Sequence, residues 1–152
     1  MSNIVTIAEL KAQLKPRQRL LGMDPGTKTI GLALSDITLT IATPMEIIRR
    51  KRFKDDVARI IHIIEAENVG GLVIGWPVNM DGSEGPRCQS TRAFSDNLAS
   101  KIDLPQTLWD ERLSTAAVER TLLEADSSRS KRKEVIDKMA AAYILQGALH
   151  AL

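Results

Sequence analysis

Apolar residues recur along the chain at two spacings, one typical of strands and the other typical of helices. Short apolar runs and two-residue alternation predict five strands, at 19–24, 30–35, 45–48, 71–75 and 106–109. Apolar residues three or four positions apart predict four helices, around 57–64, 94–102, 118–125 and 133–149. The order βββαβαβαα, in which the first two strands form a hairpin, predicts an α/β domain: a mixed five-stranded sheet with helices on both faces. A polar linker is predicted at 127–132.

The first 18 residues stand apart from this pattern. Their apolar residues, among them Leu10 and Leu14, have helical spacing, and Pro16 interrupts the chain before the first strand. We therefore divide the chain into an N-terminal extension, 1–18, and a single domain, 19–152. The pattern leaves open whether the extension is a helix that docks on the domain or a loose arm.

Length and composition restrict the class of protein. A chain of 152 residues can bury an adequate core as one domain without disulfides or a structural metal. The single cysteine, Cys88, is typical of a reducing compartment. No apolar run approaches the roughly 18–20 residues of a membrane span, and the N-terminus has no secretory leader pattern. We therefore expect a soluble, cytoplasmic protein without a membrane partner.

Two acidic motifs follow predicted strands. Asp24 ends the first strand, and Pro25 and Gly26 form a turn that could bring backbone N–H groups close to a ligand. Asp110 and Glu111 follow the last strand. Because open α/β sheets bind ligands at the carboxyl ends of their strands, these acids are placed for a metal or a phosphate. Each motif also has an ordinary explanation, as a turn or as solvated acids near a helix N-terminus.

A third acid, Asp137, shares a face of the last predicted helix with apolar residues that include Ala141 and Ile144. An unpaired carboxylate on a buried face would lose several kcal/mol of solvation. Asp137 therefore needs a cation, and the sequence allows two: an ion pair with Lys133, four residues earlier, or a metal ion.

A cluster of these three acids would be stable while ionised only around cations. Carboxylates about 4 Å apart repel by roughly 1–4 kcal/mol per pair at effective dielectric constants between those of water and a protein surface. Ligation by oxygen favours magnesium or manganese. Cys88, His62 and His150 are too scattered to indicate a zinc site.

The basic residues are clustered, although the net charge is small. The formal charge, 21 basic minus 19 acidic residues or +2, does not by itself indicate nucleic-acid binding. Basic residues gather at two places: Arg49, Arg50, Lys51, Arg52 and Lys54, and then Arg129, Lys131, Arg132 and Lys133. Such clusters usually form solvated surface, but beside a metal site they could hold a polyanionic backbone. With five aromatic residues in the chain, base stacking is not expected to dominate.

Four segments in order carry a family resemblance: Gly22-Met23-Asp24-Pro25-Gly26-Thr27-Lys28 with Ile30-Gly31-Leu32-Ala33; Gly75-Trp76-Pro77-Val78-Asn79-Met80-Asp81-Gly82-Ser83; Asp110-Glu111-Arg112-Leu113-Ser114-Thr115; and Asp137 with its alanine-rich helix. They resemble the YqgF family, the Holliday junction resolvase-like proteins that are also called pre-16S rRNA nucleases. The resemblance covers 19–149.

The resemblance implies a ribonuclease H-like fold and a metal-dependent nuclease that processes the 5′ end of pre-16S rRNA in ribosome biogenesis. It implies that Asp24, Glu111 and Asp137 are the catalytic acids and the ligands of two Mg²⁺ or Mn²⁺ ions, with Asp110 as the alternative second ligand. In the hydrolysis we envisage, one ion activates water and the other, about 3.5–4 Å away, stabilises the leaving oxygen. In this mechanism Asp24 would hold both ions, and Glu111 and Asp137 would each hold one.

The remaining motif residues are interpreted as contacts to the substrate, with one departure from the resolvase pattern. Lys28, Asn79 and Arg112 are expected to orient phosphates of structured RNA or branched DNA. Better-known resolvases have a catalytic acid at the end of the strand that here closes with Gly75 and Trp76. Trp76 stands where the family usually has Leu, and we expect this change to affect packing more than chemistry.

Three other interpretations stay open. The chain could be a Holliday junction resolvase, whose two active sites would favour a homodimer. It could instead be a non-catalytic module that binds nucleic acid in transcription or ribosome maturation. The turn at Asp24 also resembles the phosphate loop of actin-like kinases, but those proteins close two such domains around a nucleotide and this chain supplies one.

Overall fold

The computed structural model describes residues 3–79, 81–113 and 129–152, with the side chains of 113 and 129–138 outside the description. Its elements follow the predicted order: α1 Ile7–Gln13, β1 Arg19–Pro25, β2 Thr29–Ser35, β3 Ala42–Arg49, α2 Phe53–Ala66, β4 Val69–Trp76, α3 Pro86–Ala99, β5 Gln106–Asp110, a 3₁₀ turn Glu111–Leu113 and α4 Arg129–His150. The helix predicted around 118–125 lies outside the described residues.

The five strands form one mixed sheet in the order β3-β2-β1-β4-β5. The pairs β1–β2 and β2–β3 are antiparallel, whereas β1–β4 and β4–β5 are parallel. The carboxyl ends of β1, β4 and β5 therefore meet at one edge of the sheet. This carboxyl edge is where Asp24 and Asp110 lie.

Helices cover both faces, as the sequence predicted. On one face Met23 and Ile74 pack with α2 and α3 through residues such as Phe94. On the other face Leu20 and Val73 pack with α1 and α4. Successive residues of a strand point to opposite faces, so β1 and β4 each contribute to both cores.

Helix α4 packs closely on β1 because small residues face each other. Ala141 is fully buried, and a Cβ added at Gly22 would lie 2.8 Å from Leu145 Cβ and 3.1 Å from the Ala141 carbonyl oxygen. The helix begins at Arg129, so the prediction of a linker at 127–132 followed by a helix from Lys133 is wrong for 129–132. Polarity indicated a loop there, but lysine and arginine are good helix formers.

The N-terminal segment docks on the sheet. Leu10 of α1 is fully buried, and a Cβ added at Gly71 of β4 would lie 2.7 Å from Leu10 Cδ1. Before the helix, the Val5 N–H donates to the Gln106 carbonyl (2.7 Å), which satisfies part of the free edge of β5. Of the two alternatives that the sequence allowed, the structure has the docked helix. Within the described residues every helix is too short or too polar to span a membrane.

Candidate active site

Asp24 lies one residue before the end of β1 and is almost fully buried, with 6% of its surface exposed. Alternation along β1 puts its side chain on the same face as Gly22, the residue that packs against α4. A carboxylate at this depth must be compensated by a cation or by hydrogen bonds. The structure thus places this acid under α4 at the carboxyl edge.

Glu111 follows β5 directly, and its side chain reaches back over β4. A Cβ added at Gly75 would lie 2.8 Å from Glu111 Oε1 and 2.6 Å from Ile144 Cδ1. Only a glycine leaves this space open, so the absent side chain of Gly75 accommodates the Glu111 carboxylate. Ile144 belongs to α4, which shows that Glu111 lies on the α4 face of the sheet.

The strand register brings Asp24 and Glu111 to the same corner. Met23 pairs with Ile74 in the parallel β1–β4 ladder, so the next residues along, Asp24 and Gly75, are neighbours on adjacent strands. Residues opposite each other in a parallel pair point to the same face. The carboxylates of Asp24 and Glu111 therefore share one face and one edge of the sheet.

Asp137 belongs to α4, one turn before Ala141. Beyond Ala141 the helix runs to the β2–β3 loop, where the Gln146 amide donates to the Thr40 carbonyl (2.9 Å) and accepts from the Ala42 N–H (2.9 Å). That loop lies opposite the carboxyl edge, so the turn of α4 that includes Asp137 extends toward the carboxyl edge. The Asp137 side chain lies outside the described residues.

Asp110, the alternative second ligand, is engaged by an arginine. Arg112 donates from Nε to both Asp110 carboxylate oxygens (3.1 Å each) and from Nη2 to Oδ2 (2.7 Å). These hydrogen bonds hold the pKa of Asp110 below its usual value. The Arg112 backbone N–H also donates to Asp110 Oδ1 (2.9 Å), which closes the turn around Glu111. Asp110 therefore fixes this turn, and Glu111 is the residue whose carboxylate extends over the sheet.

A cleft of about 280 Å³ adjoins Glu111, and Asn79 and Arg87 also line it. The Asn79 amide donates to Ser83 Oγ (3.0 Å) within the loop after β4. Hydrogen bonds from Ser83 lower the pKa of Asp81 in the same loop. Sequence reasoning missed Arg87; its position beside Pro86, at the end of the loop after β4, is the signal that could have identified it.

Lys28 is exposed in the turn between β1 and β2, and its carbonyl accepts from the Arg50 N–H (2.8 Å). No described contact joins Lys28 to Asn79 or Arg112. Within this turn the Gly26 N–H donates to the Thr29 carbonyl (2.8 Å). The hairpin itself uses that donor.

The remaining sequence candidates lie away from this corner. Cys88 is buried, whereas His62 and His150 are exposed on α2 and α4. Among the described residues, no three His, Cys, Asp or Glu side chains are close enough to hold a metal ion. Trp76 stacks under the Arg92 guanidinium of α3, 5.2 Å from the ring centroid. This contact gives Trp76 a packing role.

The fold defines the class of protein as ribonuclease H-like. It is similar to Thermus thermophilus RuvC, solved in complex with a Holliday junction substrate, with a TM-score of 0.54 and 16% identity over 88% of this chain and 94% of that chain. It is also similar to the yeast mitochondrial Holliday junction resolvase Ydc2, with a TM-score of 0.50 and 13% identity over 92% of this chain and 81% of that chain. At these identities the likeness shows the fold alone.

The sequence then gives the family. The family model described as "RuvX: Holliday junction resolvase" matches residues 18–151, and the chain belongs to this family, which confirms the prediction from the motifs. A "Putative pre-16S rRNA nuclease" of Paramagnetospirillum magneticum is 62% identical over 96% of this chain and 94% of its own length. A relative of the same name in Methylocella silvestris is 57% identical over 99% of this chain and 94% of its own length.

Proposed function

We propose that this protein is a divalent-metal-dependent nuclease that hydrolyses a phosphodiester bond of precursor 16S rRNA. The observation that carries the proposal is the position of the Glu111 carboxylate over Gly75, next to the buried Asp24 on the α4 face. Membership of a nuclease family supports the hydrolytic reaction. The names of the relatives at 53–62% identity support the choice of substrate.

The donors at this corner fit magnesium or manganese. Both described carboxylates would provide oxygen ligands, and Asp137 on the adjoining helix would provide a third carboxylate. Bound there, a metal ion would lower the pKa of a coordinated water and neutralise the charge of the leaving oxygen. The residues that would hold the ion are Asp24, Glu111 and Asp137. The Glu111 carboxylate already lies in the space above Gly75, next to Asp24.

Residues around the cleft would position the substrate. Arg87 and Asn79 line the cleft next to Glu111, and a guanidinium can bind a phosphate through two hydrogen bonds. Arg112 would position Glu111 indirectly, because its hydrogen bonds to Asp110 fix the turn that carries Glu111. Lys28 would contact a phosphate farther along the nucleic-acid chain.

The decisive experiment compares two substrates and matched acid variants. We expect the wild type, with Mg²⁺ or Mn²⁺, to cleave RNA that spans the 5′ end of 16S rRNA, and Glu111→Gln and Asp137→Asn to abolish cleavage. Glu65→Gln, at an exposed position on α2, is the control and should cleave as the wild type does. Each variant is first shown to be folded by circular dichroism.

A four-way DNA junction serves as the second substrate, because the family model describes a junction resolvase. If the wild type cleaves the junction in preference to the RNA, the proposed substrate is wrong and the junction takes its place. Binding of RNA without cleavage by the wild type under any divalent ion would instead support the non-catalytic module.

A further inference from the structure

A cationic groove lies beside the cleft at the carboxyl edge. Its volume is about 580 Å³, and its walls come from the β1–β2 turn, the β3–α2 connection and α3. Arg50, Lys51 and Arg87 line it, and no Asp or Glu of the described chain does. Three positive charges that converge without a lining acid favour a polyanion.

Arg50 is held in place before any ligand binds. Its Nη1 donates to the Gly26 carbonyl (2.7 Å), and its guanidinium lies 5.4 Å from the centroid of the Phe94 ring. The neighbouring Lys51 is fixed through its backbone, whose N–H donates to the buried carboxylate of Asp56 (3.2 Å). Preorganised cations lose less side-chain entropy when they bind a phosphate.

Arg87 connects the groove with the candidate active site. It lines both the 580 Å³ groove and the 280 Å³ cleft that holds Glu111 and Asn79. The two spaces therefore adjoin each other at Arg87. A backbone that enters the cleft would pass Arg87 and reach Lys51 and Arg50.

The groove also has an aromatic wall. Phe53, at the start of α2, is partly exposed and lines the groove opposite the α3 residues. A positive groove that offers an aromatic surface is the combination by which proteins bind single strands, since every base can stack on a ring. A regular duplex keeps its bases stacked on one another and cannot use this wall.

We propose that the groove binds the single-stranded segment of the RNA that continues from the phosphate held at the acidic site. This inference rests on the proposed function for its ligand, but its test is a binding measurement that needs no cleavage. The charges of Arg50, Lys51 and Arg87 contact successive phosphates, and Phe53 contacts a base. The groove thereby selects substrates with an unpaired segment beside the cleavage site.

The test measures binding of a fluorescent single-stranded RNA of about 12 nucleotides in EDTA, by anisotropy, across a range of salt concentrations. We expect Lys51→Gln/Arg87→Gln to weaken binding about tenfold or more. Each lost phosphate contact lowers the slope of log K against log salt by about 0.7, so the slope should fall by about 1.4. Lys101→Gln, which removes an exposed charge outside the groove, is the control and should change neither quantity.

Two further arms separate the single strand from its alternatives. Phe53→Leu keeps an apolar side chain but removes the ring, and we expect it to weaken single-strand binding about fivefold or more with an unchanged salt slope. Duplex RNA of the same length should bind weakly and respond little to either change. An equal loss of duplex affinity would overturn the assignment to single strands, and wild-type affinity in the double variant would overturn the groove itself.

Failure of the groove and failure of the proposed function give different results. If the groove variants lose affinity while the wild type cleaves no RNA, the groove stands and the nuclease proposal falls. If the wild type cleaves the RNA and the double variant binds it normally, the nuclease proposal stands and the groove proposal falls. Lys51 and Arg87 are exposed, whereas Phe53 packs partly on the core. The melting temperature of each variant is therefore measured, and binding is compared at a temperature at which every variant is fully folded.

Discussion

Substitution of Gly75 by alanine tests whether the Glu111 carboxylate is part of the active site. The added Cβ would lie 2.8 Å from Glu111 Oε1 and 2.6 Å from Ile144 Cδ1. Both atoms are ends of flexible side chains, so the fold can adapt. The φ of Gly75 is not positive, and the alanine backbone is therefore unstrained. The perturbation therefore displaces two side-chain ends, the Glu111 carboxylate and the apolar Ile144 Cδ1, of which only the carboxylate can bind a metal ion.

The size of the displacement follows from the contact distance. Glu111 Oε1 must withdraw by about 0.6 Å to regain the ordinary separation of 3.4 Å. Displacements near 1 Å at a reacting centre cost up to about 100-fold in rate, so we expect kcat/KM to fall roughly 10- to 100-fold. Overpacking costs about 1–3 kcal/mol of stability, partly offset by about 0.5–1 kcal/mol because alanine suits a strand better than glycine.

Gly71→Ala provides a matched control on the same strand and the same face. Its Cβ would lie 2.7 Å from Leu10 Cδ1, again the end of a flexible side chain, but at the other end of β4. The two variants should lose similar stability in urea denaturation, whereas only Gly75→Ala should lose cleavage and affinity for Mn²⁺. Wild-type kcat/KM in Gly75→Ala, with stability lowered as in the control, would refute the catalytic position of Glu111.

Three other predictions use the same measurements. Leu10→Ala should lower the free energy of unfolding by about 2–5 kcal/mol, because Leu10 is fully buried, and shift Tm by roughly 5–15 °C without loss of activity in the folded fraction. Asp24→Asn should abolish cleavage yet keep or raise Tm in EDTA, since it relieves repulsion with Glu111; a large loss of Tm would make Asp24 structural. Arg112 lowers the pKa of Asp110, so the pair stabilises the fold above the usual pKa of about 3.9 and this stabilisation is lost as the pH falls through the lowered pKa. The difference in free energy of unfolding between wild type and Asp110→Asn should therefore be constant from about pH 5 to 8 and shrink near pH 3. A difference that is as large near pH 3 as at about pH 5 to 8 would contradict this.

The sheet could be predicted because its strands carry unambiguous patterns. Val73 and Ile74 lie in a short apolar run covered on both faces, which is typical of a central parallel strand. The predicted buried face of the last helix is confirmed by Ala141 and Ile144, which have no exposed surface. Local pattern determines these features, so one sequence was sufficient.

The site was harder to predict, because its features depend on contacts between distant residues. The sequence could not decide between Asp110 and Glu111, which are adjacent and both acidic. The bidentate interaction of Arg112 distinguishes them in the structure: Nε and Nη2 donate to the two carboxylate oxygens of Asp110, and the Glu111 side chain extends over β4. Arg87 was missed for a similar reason: its position beside Pro86 marks the end of the loop after β4, but only the folded chain shows that it lines two clefts.

The departure at the end of β4 has a physical explanation in these contacts. The resolvase pattern would place an acid on this strand, and the chain instead has Gly75. A glycine there removes the side chain that would otherwise fill the space between the sheet and α4, and the side chain of Glu111, which directly follows the neighbouring strand β5, occupies it. Under the proposed function, Glu111, which directly follows β5, would take the place of an acid supplied from β4. On this view Gly75 and Glu111 are coupled, so that adding Gly75→Ala to the Glu111→Gln variant should cost little further affinity for Mn²⁺, whereas independent roles would make the two losses of affinity multiply.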